Sequence, residues 1–491
     1  MTARPETGGT GGTGGKDLRS FLADVVAHDD GGLVRVTSPV DPRFGVTAHG
    51  ARLEKAGRYP ALWFDDVKGS ELACVTNTVA THERMALALG VEPDDLLRAS
   101  DRLEGLQPHP PVEVDRADAP VKHTIWRDDE VDLAKLPIPV HNELDGGPYL
   151  TAGVSIMRDP WSGAINAGIY RHHVYDARRM GVWFFGSHHG GVIARRYAEK
   201  GEPCPIAIAV GHHPGFLMGA VSRVPGIGGE YDAAGAFMRE PVEVVRAETS
   251  DLLVPARAEI VIEGFILPGE TEEEGPFAEW PGHYVGGGPK PFLRVDAVTM
   301  REGAIWQDIQ ASGREHRLMG ALPRISSIHA NVAKVVPDLK AVNVPVHTRM
   351  HCYLSIDKQS DSDPTRAAFA ALNTEPENLR MIVVVDDDID VYDHEEVSWA
   401  VGTRFDATTD LQVVPTWNGP GGLLPTTWEY DAEGGRTARM SSAVIIDATK
   451  PAPPVVFPTR ARVPVDEVAA VDLGAHVPVA AGDELPWEAA R

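Results

Sequence analysis

Cysteine is scarce in this 491-residue sequence, which contains only Cys74, Cys204 and Cys352, far apart and outside any CxxC pair. An odd number of scattered cysteines predicts neither a disulfide framework nor a zinc cluster. The sequence also lacks any run of about 18 apolar residues, so we expect no membrane-spanning helix. Its N-terminus has no apolar stretch typical of a signal peptide. Together these absences predict a cytoplasmic protein.

Positive charge is also in short supply, because 71 acidic residues outnumber 46 basic ones and give a formal net charge of −25. Such a chain repels nucleic acid and anionic lipid, so we expect neither as a partner. The glycine-rich stretches GSHHGG and GPGGLLP lack the spacing of a Rossmann or P-loop nucleotide site. What the chain does have is length and 43% hydrophobic residues, enough for two or three domains.

The chain divides into segments with different sequence patterns. Gly/Thr repetition predicts a disordered tail, alternating strands and helices predict an α/β domain, short β-branched segments predict a strand-rich sheet or barrel, and returning helices predict a further α/β domain. The Pro-rich, charged stretch 104–122 is the predicted linker. The predicted boundaries are 1–16 for the tail and 17–122, 123–325 and 326–491 for the domains, the last with a Pro-rich end.

The segment DLRSFLADVVAHD predicts the first helix. Its acidic start is typical of a helix N-terminus, and its apolar residues recur at helical spacing. The predicted apolar face consists of Leu18, Phe21, Leu22, Val25 and Val26.

Two glutamates, Glu274 and Glu279, flank a Gly-Pro pair in EGPFAEWPGHY. Five residues apart, they would point to opposite faces of a regular strand, but a turn at Gly-Pro could bring both toward one cavity. There, repulsion and burial would raise one pKa and make that carboxyl a proton donor near neutral pH. A solvated acidic turn is the alternative, and spacing alone favours it.

NAGIYRHH places Asn166 and Arg171 on a predicted strand. If Arg171 is buried, it needs an anionic partner, either a substrate carboxylate or a glutamate in a structural salt bridge.

Six histidines form adjacent pairs, and alternation along a strand lets each pair present at most one imidazole to a shared site. Without HExxH or Cys/His spacing, asparagine and glutamate oxygens with one imidazole would suit Mg²⁺ or Mn²⁺ better than Zn²⁺. The pairs are His172 and His173, His188 and His189, and His212 and His213.

Taken together and in order, these segments resemble the UbiD family of reversible decarboxylases, which use prenylated FMN. The resemblance is collinear over nearly the whole folded chain and rests on DLRSFL, LPIPVHNELDGGPYLTAG, NAGIYR, PIAIAVGHHP, GEYDAAGAFMREPVEVVRAETSDLLVPARAEIVIEG, EGPFAEW and IIDAT. It implies a multidomain α/β (α+β) fold. The N-terminal α/β domain would be followed by a central split β-barrel that binds the flavin and a C-terminal α/β domain used in subunit association.

The resemblance also implies a cofactor site. A metal ion, Mn²⁺ or Mg²⁺, would join the flavin phosphate to Asn166, Glu230 and one histidine, and a potassium ion is usual nearby. Spacing from Asn166 favours His189 as the ligand, whereas the SHHGG context favours His188. The residues of the implied cofactor site are Asn166, Ala167, Ile169, Tyr170, Arg171, His188, His189 and Glu230.

The family's catalytic Glu-Arg-Glu network falls on Arg171, Glu274 and Glu279, which overturns the acidic-turn interpretation. It implies that Arg171 holds the substrate carboxylate or pairs with Glu274, while Glu279 delivers the proton that replaces CO2. Prenylated FMN would form a covalent adduct that spreads the charge left by departing CO2, chemistry that no side chain offers.

This chain departs from the family's common EGPFGE pattern at Ala278, and Trp280 and Pro281 follow the second glutamate. Trp280 is therefore predicted to line and narrow the substrate pocket, where a flat acid could stack on its ring. His172 is a second pocket candidate, and a structural role for it is equally open.

The implied function is decarboxylation of an α,β-unsaturated or (hetero)aromatic carboxylic acid. The alternatives are a carboxylase running in the reverse direction and a metal-dependent hydrolase without flavin. The implied partners are the small-molecule acid, a flavin prenyltransferase that supplies the cofactor, and further copies of the chain in a homo-oligomer, with a dimer favoured.

Overall fold

The computed structural model describes residues 15–93, 96, 106–184, 188–222, 227–418, 424–430, 436–438 and 440–472. The predicted tail, except for Gly15 and Lys16, lies outside these residues, as does the end of the Pro-rich C-terminal segment. The chain falls into two compact units that divide after Thr449. Helices and strands alternate through the first unit, and the predicted multidomain α/β class is confirmed.

The first helix, α1 (Leu18–His28), begins where the sequence predicts it. The Asp17 carboxylate accepts from the Ser20 amide at 2.8 Å and the Ser20 hydroxyl accepts from the Asp17 amide at 2.9 Å, which caps the helix. Val26 is 63% exposed, so its predicted place on the buried face is wrong. At about 100° per residue it lies past the edge of the apolar stripe. The other four predicted residues are buried: Leu18, Phe21, Leu22 and Val25.

The N-terminal part builds a small sheet with helices beside it. Within this sheet the first two strands are parallel and the third returns antiparallel to the second. After α1 the elements are β1 (Leu33–Val36), α2 (Gly45–Glu54), β2 (Ala61–Phe64), β3 (Ala73–Thr76) and α3 (His82–Leu89).

The central part is dominated by strands, as predicted from its short β-branched segments. Three helices interrupt it, two of which start beside the candidate site described below. Its elements are β4 (Val112–Glu113), β5 (Thr124–Arg127), β6 (Tyr149–Leu150), β7 (Val154–Arg158), β8 (Ile165–Ile169), β9 (His172–His173), β10 (Arg179–Gly181), α4 (His189–Lys200), β11 (Cys204–Val210), α5 (Pro214–Val221), α6 (Glu230–Met238), β12 (Glu243–Arg246), β13 (Leu253–Pro255), β14 (Ile260–Glu273), β15 (Phe277–Ala278), β16 (Tyr284–Val285), β17 (Pro289–Met300) and β18 (Ile305–Gln307).

Seven central strands form one sheet in the order β10–β17–β14–β11–β7–β8, with β5 paired to β17. The described path ends at β10 and β8 and does not close on itself. The last central strand, β18, leaves this sheet and pairs in parallel with β3, so it completes the N-terminal sheet. Apolar side chains of both sheets, including Ile262 and Val295 of the large sheet and Phe64 of the small one, share one core. The two parts are therefore held by common packing.

The C-terminal part is a five-stranded sheet with helices, which agrees with the predicted return to α/β structure. Strands β20, β21 and β25 are parallel in the order β19–β20–β21–β25–β22. The predicted domain boundary at 325/326 falls inside a continuous 19-residue helix, because Pro323 is accommodated within it. The elements are α7 (Arg314–Val332), β19 (Leu339–Asn343), β20 (His351–Ile356), α8 (Asp363–Thr374), β21 (Met381–Asp386), α9 (His394–Arg404), β22 (Leu411–Asn418), β23 (Trp428–Tyr430), β24 (Arg436–Ala438) and β25 (Ser441–Ala448), and the second unit contains α10 (Val465–Ala469).

The predicted linker, residues 104–122, is anchored to the central part from residue 106 onward. Within it, β4 pairs in parallel with β12. Lys122 is buried, with Nζ 3.0 Å from the Glu248 carboxylate and 3.6 Å from that of Glu263. Lys122, one of the charges of the predicted linker, thus binds partners distant in the sequence.

In the part of the chain that the structure describes, no helix is long and apolar enough to cross a membrane. The three cysteines, Cys74, Cys204 and Cys352, are buried free thiols.

A buried glutamate connects the N-terminal part to the start of α7. One carboxyl oxygen of Glu315 accepts from the Thr78 hydroxyl at 2.7 Å and from the Val79 amide at 2.8 Å. Burial raises the pKa of Glu315 to about 7 in spite of these hydrogen bonds. The folded protein therefore holds this proton to a higher pH than the unfolded chain does.

We expect the contribution of Glu315 to stability to fall as the pH rises. The stabilising contribution of Glu315 is fully present below its unfolded pKa of about 4.3 and is lost as the pH rises through its folded pKa. The free energy of unfolding then falls by an amount on the order of 3 kcal/mol. Glu315→Gln keeps an acceptor for Thr78 and Val79 but cannot ionise. The melting temperature of this variant should therefore rise relative to wild type between about pH 5 and about pH 8. Exposed Glu71→Gln is the matched control, and a constant difference over this range would contradict the expectation.

Candidate active site

The two glutamates of EGPFAEW lie on an irregular hairpin that leaves the central sheet. Glu274 directly follows β14, and the backbone then passes through a cis Gly275–Pro276 bond. The Gly287 amide donates to the Glu274 carbonyl at 2.8 Å, and the Glu279 amide donates to the His283 carbonyl at 3.0 Å. These bonds fix the hairpin, so the two side chains do not follow strand alternation.

Arg171, in the connection between β8 and β9, joins the two carboxylates. Its Nε and Nη2 donate to the two oxygens of Glu274 at 3.0 and 2.8 Å, and its Nη1 donates to Glu279 at 2.9 Å. Arg171 and Glu274 are buried, whereas the Glu279 side chain is 14% exposed. A bidentate pair is the strongest arrangement of arginine with a carboxylate. One guanidinium thus holds both predicted catalytic glutamates.

Aromatic rings enclose this guanidinium. Its Cζ lies 3.8 Å from the centroid of the Trp183 ring and 4.8 Å from that of Phe277. The Tyr149 hydroxyl donates to Glu274 Oε1 at 3.0 Å. Burial, and then the charge of Glu274, raise the pKa of Tyr149, which keeps the phenol protonated as a donor. The Glu274 carboxylate is therefore held by two side-chain donors, Arg171 and Tyr149.

A glycine allows the close approach of the hairpin to the ion pair. Gly286 has a φ of 108°, and a Cβ there would lie 2.7 Å from Arg171 Nη2 and 2.9 Å from Glu274 Oε2. No larger residue could take this position without displacing the charged pair.

The two carboxylates differ in what they are free to do. Both oxygens of Glu274 accept hydrogen bonds from buried side chains, which suits a positioning role. Glu279 lies at the accessible edge, with Oε1 bound by Arg171 and Oε2 accepting from the Trp280 amide at 3.3 Å. An accessible carboxyl next to a guanidinium can exchange a proton with a bound molecule.

Asn166 and Glu230 also come together, 64 positions apart in the sequence. Asn166 Nδ2 donates to Glu230 Oε1 at 3.1 Å, and the Tyr170 hydroxyl donates to Asn166 Oδ1 at 3.3 Å. Glu230 is the first residue of α6, whose N-terminus has no side-chain cap. An uncapped helix N-terminus with an amide and a carboxylate beside it suits a phosphate and a hard metal ion.

His188 and His189 lie at the start of α4, not on a strand, so the predicted strand alternation does not apply to them. Both side chains are exposed. The Gly190 amide donates to the Tyr170 hydroxyl at 3.2 Å, and this hydroxyl also bonds Asn166. Tyr170 thereby binds a first-turn amide of α4 and ties this helix start to Asn166.

This second group contains an amide, Asn166, which is not one of the side chains of an ordinary His/Cys/Asp/Glu metal cluster. Among the described residues, which omit 185–187 and 223–226 on either side of it, no three His, Cys, Asp or Glu side chains are arranged to hold a metal ion.

The remaining predicted residues divide between the site and the scaffold. Ala167 and Ile169 lie on β8, between Asn166 and Arg171. Trp280 is buried beside Glu279. The predicted pocket role of His172 is not supported, because it is fully buried with Nε2 2.9 Å from Ser155 Oγ and Nδ1 3.1 Å from the Gly181 carbonyl.

His173 and the pair His212 and His213 also make local structural contacts. His173 stacks on Tyr149 with ring centroids 4.6 Å apart. His213 caps α5 by accepting from the Gly215 amide at 3.1 Å. His212 Nδ1 accepts from the His213 amide at 2.8 Å. The pair His212 and His213 thus precedes a helix and is not part of a strand.

The sequence interpretation missed the residues that surround Arg171. Tyr149 stands in the quoted motif GGPYLTAG and Trp183 in MGVWFFG, so each lay in a noted segment without an assigned role. Arg349, which contacts Trp280, gave no local signal.

Three family models match successive parts of the chain. The N-terminal domain of 3-octaprenyl-4-hydroxybenzoate carboxy-lyase matches residues 27–102, its Rift-related domain matches residues 112–314, and its C-terminal domain matches residues 316–448. Together they span most of the chain and agree with the motifs that suggested UbiD.

Individual relatives extend this similarity. Anhydromevalonate phosphate decarboxylase of Methanothermobacter thermautotrophicus is 34% identical over 71% of this chain and 81% of its own. Phenolic acid decarboxylase of Sedimentibacter hydroxybenzoicus is 30% identical over 91% of this chain and 94% of its own. An evolved dimeric form of the UbiD-class enzyme HmfF from Pelotomaculum thermopropionicum, solved with prFMN, superposes with a TM-score of 0.82 at 33% identity, covering 94% and 100% of the two chains. By family models, relatives and fold alike, this chain is a carboxy-lyase of the UbiD family.

Proposed function

We propose that this enzyme removes CO2 from an α,β-unsaturated or (hetero)aromatic carboxylic acid with the help of prenylated FMN. The observation that carries the proposal is the single guanidinium of Arg171 shared by a buried glutamate and an accessible one. A solved relative contains prFMN, which supports the same cofactor here.

Glu279 is the proposed proton donor. It is the more accessible carboxyl of the pair, and protonation of the carbon that loses CO2 requires an acid within reach of the substrate. Prenylated FMN, when bound, would supply the electron sink for the charge left by CO2. The chain's own task is to place an acid beside that carbon.

Arg171 is the proposed positioning residue for both glutamates. The resemblance left open whether it holds the substrate carboxylate or pairs with Glu274. Because Nε, Nη1 and Nη2 all donate to glutamate oxygens, the geometry favours the pair with Glu274. In this role Arg171 sets the direction of the Glu279 carboxyl.

The cofactor phosphate and a metal ion fit beside Asn166 and Glu230. The amide oxygen and the carboxylate, together with an imidazole of His189 or His188, would form a ligand set suited to Mn²⁺ or Mg²⁺. The N-terminus of α6, which has no side-chain cap, suits a phosphate. Ala167, Ile169 and Tyr170 would line the cofactor along β8. A nearby potassium ion is proposed from the family resemblance alone.

The wider setting follows from the same proposal. A flavin prenyltransferase would supply the cofactor, the reaction would take place in the cytoplasm, and the chain would act as a homo-oligomer. A dimer is proposed from the family resemblance, and an evolved form of HmfF is dimeric. The direction of the reaction is proposed as decarboxylation, and dependence of turnover on bicarbonate would instead indicate the carboxylase.

We expect the chain produced together with a flavin prenyltransferase to carry a chromophore that absorbs beyond the protein band. Asn166→Ala and Glu230→Gln should each weaken metal binding at least about tenfold and lower the bound chromophore in parallel. Absorbance and metal content per chain measure both effects. Exposed Glu199→Gln on α4 is the control. A colourless protein that still converts an acid, and stops only on chelation, would identify the hydrolase instead.

A further inference from the structure

A second arginine lies next to the active-site hairpin and has no acid partner among the described residues. Arg349 is only 8% exposed. Its Nε is buried without a hydrogen-bond acceptor, and in the described part of the chain its guanidinium forms no ion pair. Buried guanidinium groups ordinarily have both, because burial removes the water that hydrated them.

The contact that Arg349 does make is with Trp280. Its Cζ lies 4.5 Å from the centroid of the Trp280 ring, and the Trp280 amide donates to Glu279 Oε2. A cation–π contact compensates only part of the hydration that a buried guanidinium loses. Arg349 is thus connected to the proposed proton donor through one residue and remains incompletely satisfied.

The local structure is built to admit this side chain. Arg349 has a φ of 55°, in the left-handed region that residues other than glycine seldom occupy. A Cβ on Gly320 of α7 would lie 2.0 Å from the Arg349 Cζ. A strained backbone at a buried charged residue is typical of functional positions. Packing alone requires neither the strained backbone nor the buried charge.

Nearby charges do not satisfy Arg349. Glu279 is bound by the first arginine, and Glu375 is bound by Arg324 at 2.9 Å. Burial, and then the positive charge of Arg324, lower the pKa of Arg349 well below its usual range, and the attraction of the two carboxylates is smaller. Burial lowers the pKa of His316 to about 4, so this neighbour is neutral at neutral pH. A negative ligand is what the position lacks.

We propose that Arg349 binds a second anionic group of the substrate, a carboxylate or a phosphate remote from the carboxylate that is lost. The inference rests on the proposed function, because it assumes that the substrate lies against Glu279 and Trp280. The flat body of the acid would pack on Trp280, with its far end at Arg349. The substrate class narrows accordingly to unsaturated or aromatic acids that carry an additional anion.

The test compares acids that differ only at the far end. Cinnamate, 4-carboxycinnamate and 4-phosphonooxycinnamate form one series, and thiophene-2-carboxylate and thiophene-2,5-dicarboxylate form a shorter one. Titration calorimetry on the holoenzyme gives Kd, and CO2 release gives kcat and KM. The variants are Arg349→Met, Arg349→Lys and Gly320→Ala, the last displacing the guanidinium without removing it. Exposed Arg35→Met is the matched control.

Wild type should bind at least one acid with a second anionic group about tenfold or more tightly than the matching monoacid, the size expected of a hydrogen bond to a charged group. Arg349→Met should remove this preference by raising KM for the acids with a second anionic group, while kcat stays nearly the same. Gly320→Ala should reduce the preference. The 4-carboxy and 4-phosphonooxy members of the cinnamate series decide between a carboxylate and a phosphate as the second anionic group. No preference in wild type, or a preference that survives in Arg349→Met, would overturn the proposal.

The two proposals can fail separately. If the holoenzyme releases CO2 from none of the acids, the proposed function fails while Kd still tests Arg349. If monoacids are converted and Arg349→Met lowers binding of monoacids and of acids with a second anionic group equally, the decarboxylase stands and the second anion site is rejected.

Discussion

Glu279→Gln should abolish most CO2 release while leaving the cofactor in place. A positioned general acid contributes about 10²- to 10⁴-fold to a rate, and glutamine cannot donate the required proton. Its amide can still occupy the position between Arg171 and the Trp280 amide, so the hairpin should persist. The cofactor should also persist, because its proposed ligands are Asn166 and Glu230. Steady-state CO2 release and the visible spectrum of the purified variant measure the two effects.

The control for this variant is Glu270→Gln, an exposed glutamate on the same strand that leads into the hairpin. We expect the kcat of the Glu270→Gln enzyme to equal that of wild type. In the Glu279→Gln enzyme, KM should change by only a few fold, since the lost interaction acts in the transition state. A Glu279→Gln enzyme with undiminished kcat would remove Glu279 from the role of proton donor.

Local sequence pattern predicted the elements whose burial follows a regular period. Leu18, Phe21, Leu22 and Val25 identify α1, and the apolar run of PIAIAV identifies β11 in the middle of the large sheet. The prediction failed where tertiary contacts decide the structure. The predicted boundary at 325/326 falls inside α7, and Lys122 of the predicted linker is held by the distant Glu248.

In the candidate site, too, local sequence pattern was not enough where the role of a residue depends on tertiary contacts. Spacing alone favoured a solvated turn for Glu274 and Glu279, because nothing local shows that Arg171, 103 positions before Glu274, enters the hairpin. The family resemblance supplied that connection. Neither route indicated Arg349, whose meaning depends on its approach to Trp280 and to a glycine of α7.

The second large effect is expected for Arg171→Met, which should remove activity and destabilise the protein together. Glu274 is 1% exposed, so loss of its bidentate partner leaves a buried carboxylate with the Tyr149 hydroxyl as its remaining side-chain donor. Breaking a buried ion pair in this way costs about 3 to 5 kcal/mol. A fall in melting temperature of several degrees and the loss of CO2 release should therefore appear in the same variant.

A double variant separates the two consequences. Arg171→Met combined with Glu274→Gln leaves no unpaired charge, and the glutamine can still accept from Tyr149, so much of the lost melting temperature should return. Activity should not return, because no guanidinium then orients Glu279. The losses of stability in the two single variants should therefore not add up in the double variant, whereas CO2 release should stay low or absent. This is the pattern expected of one buried ion pair that positions a proton donor. Recovery of CO2 release along with stability would show instead that the Arg171–Glu274 pair has only a structural role.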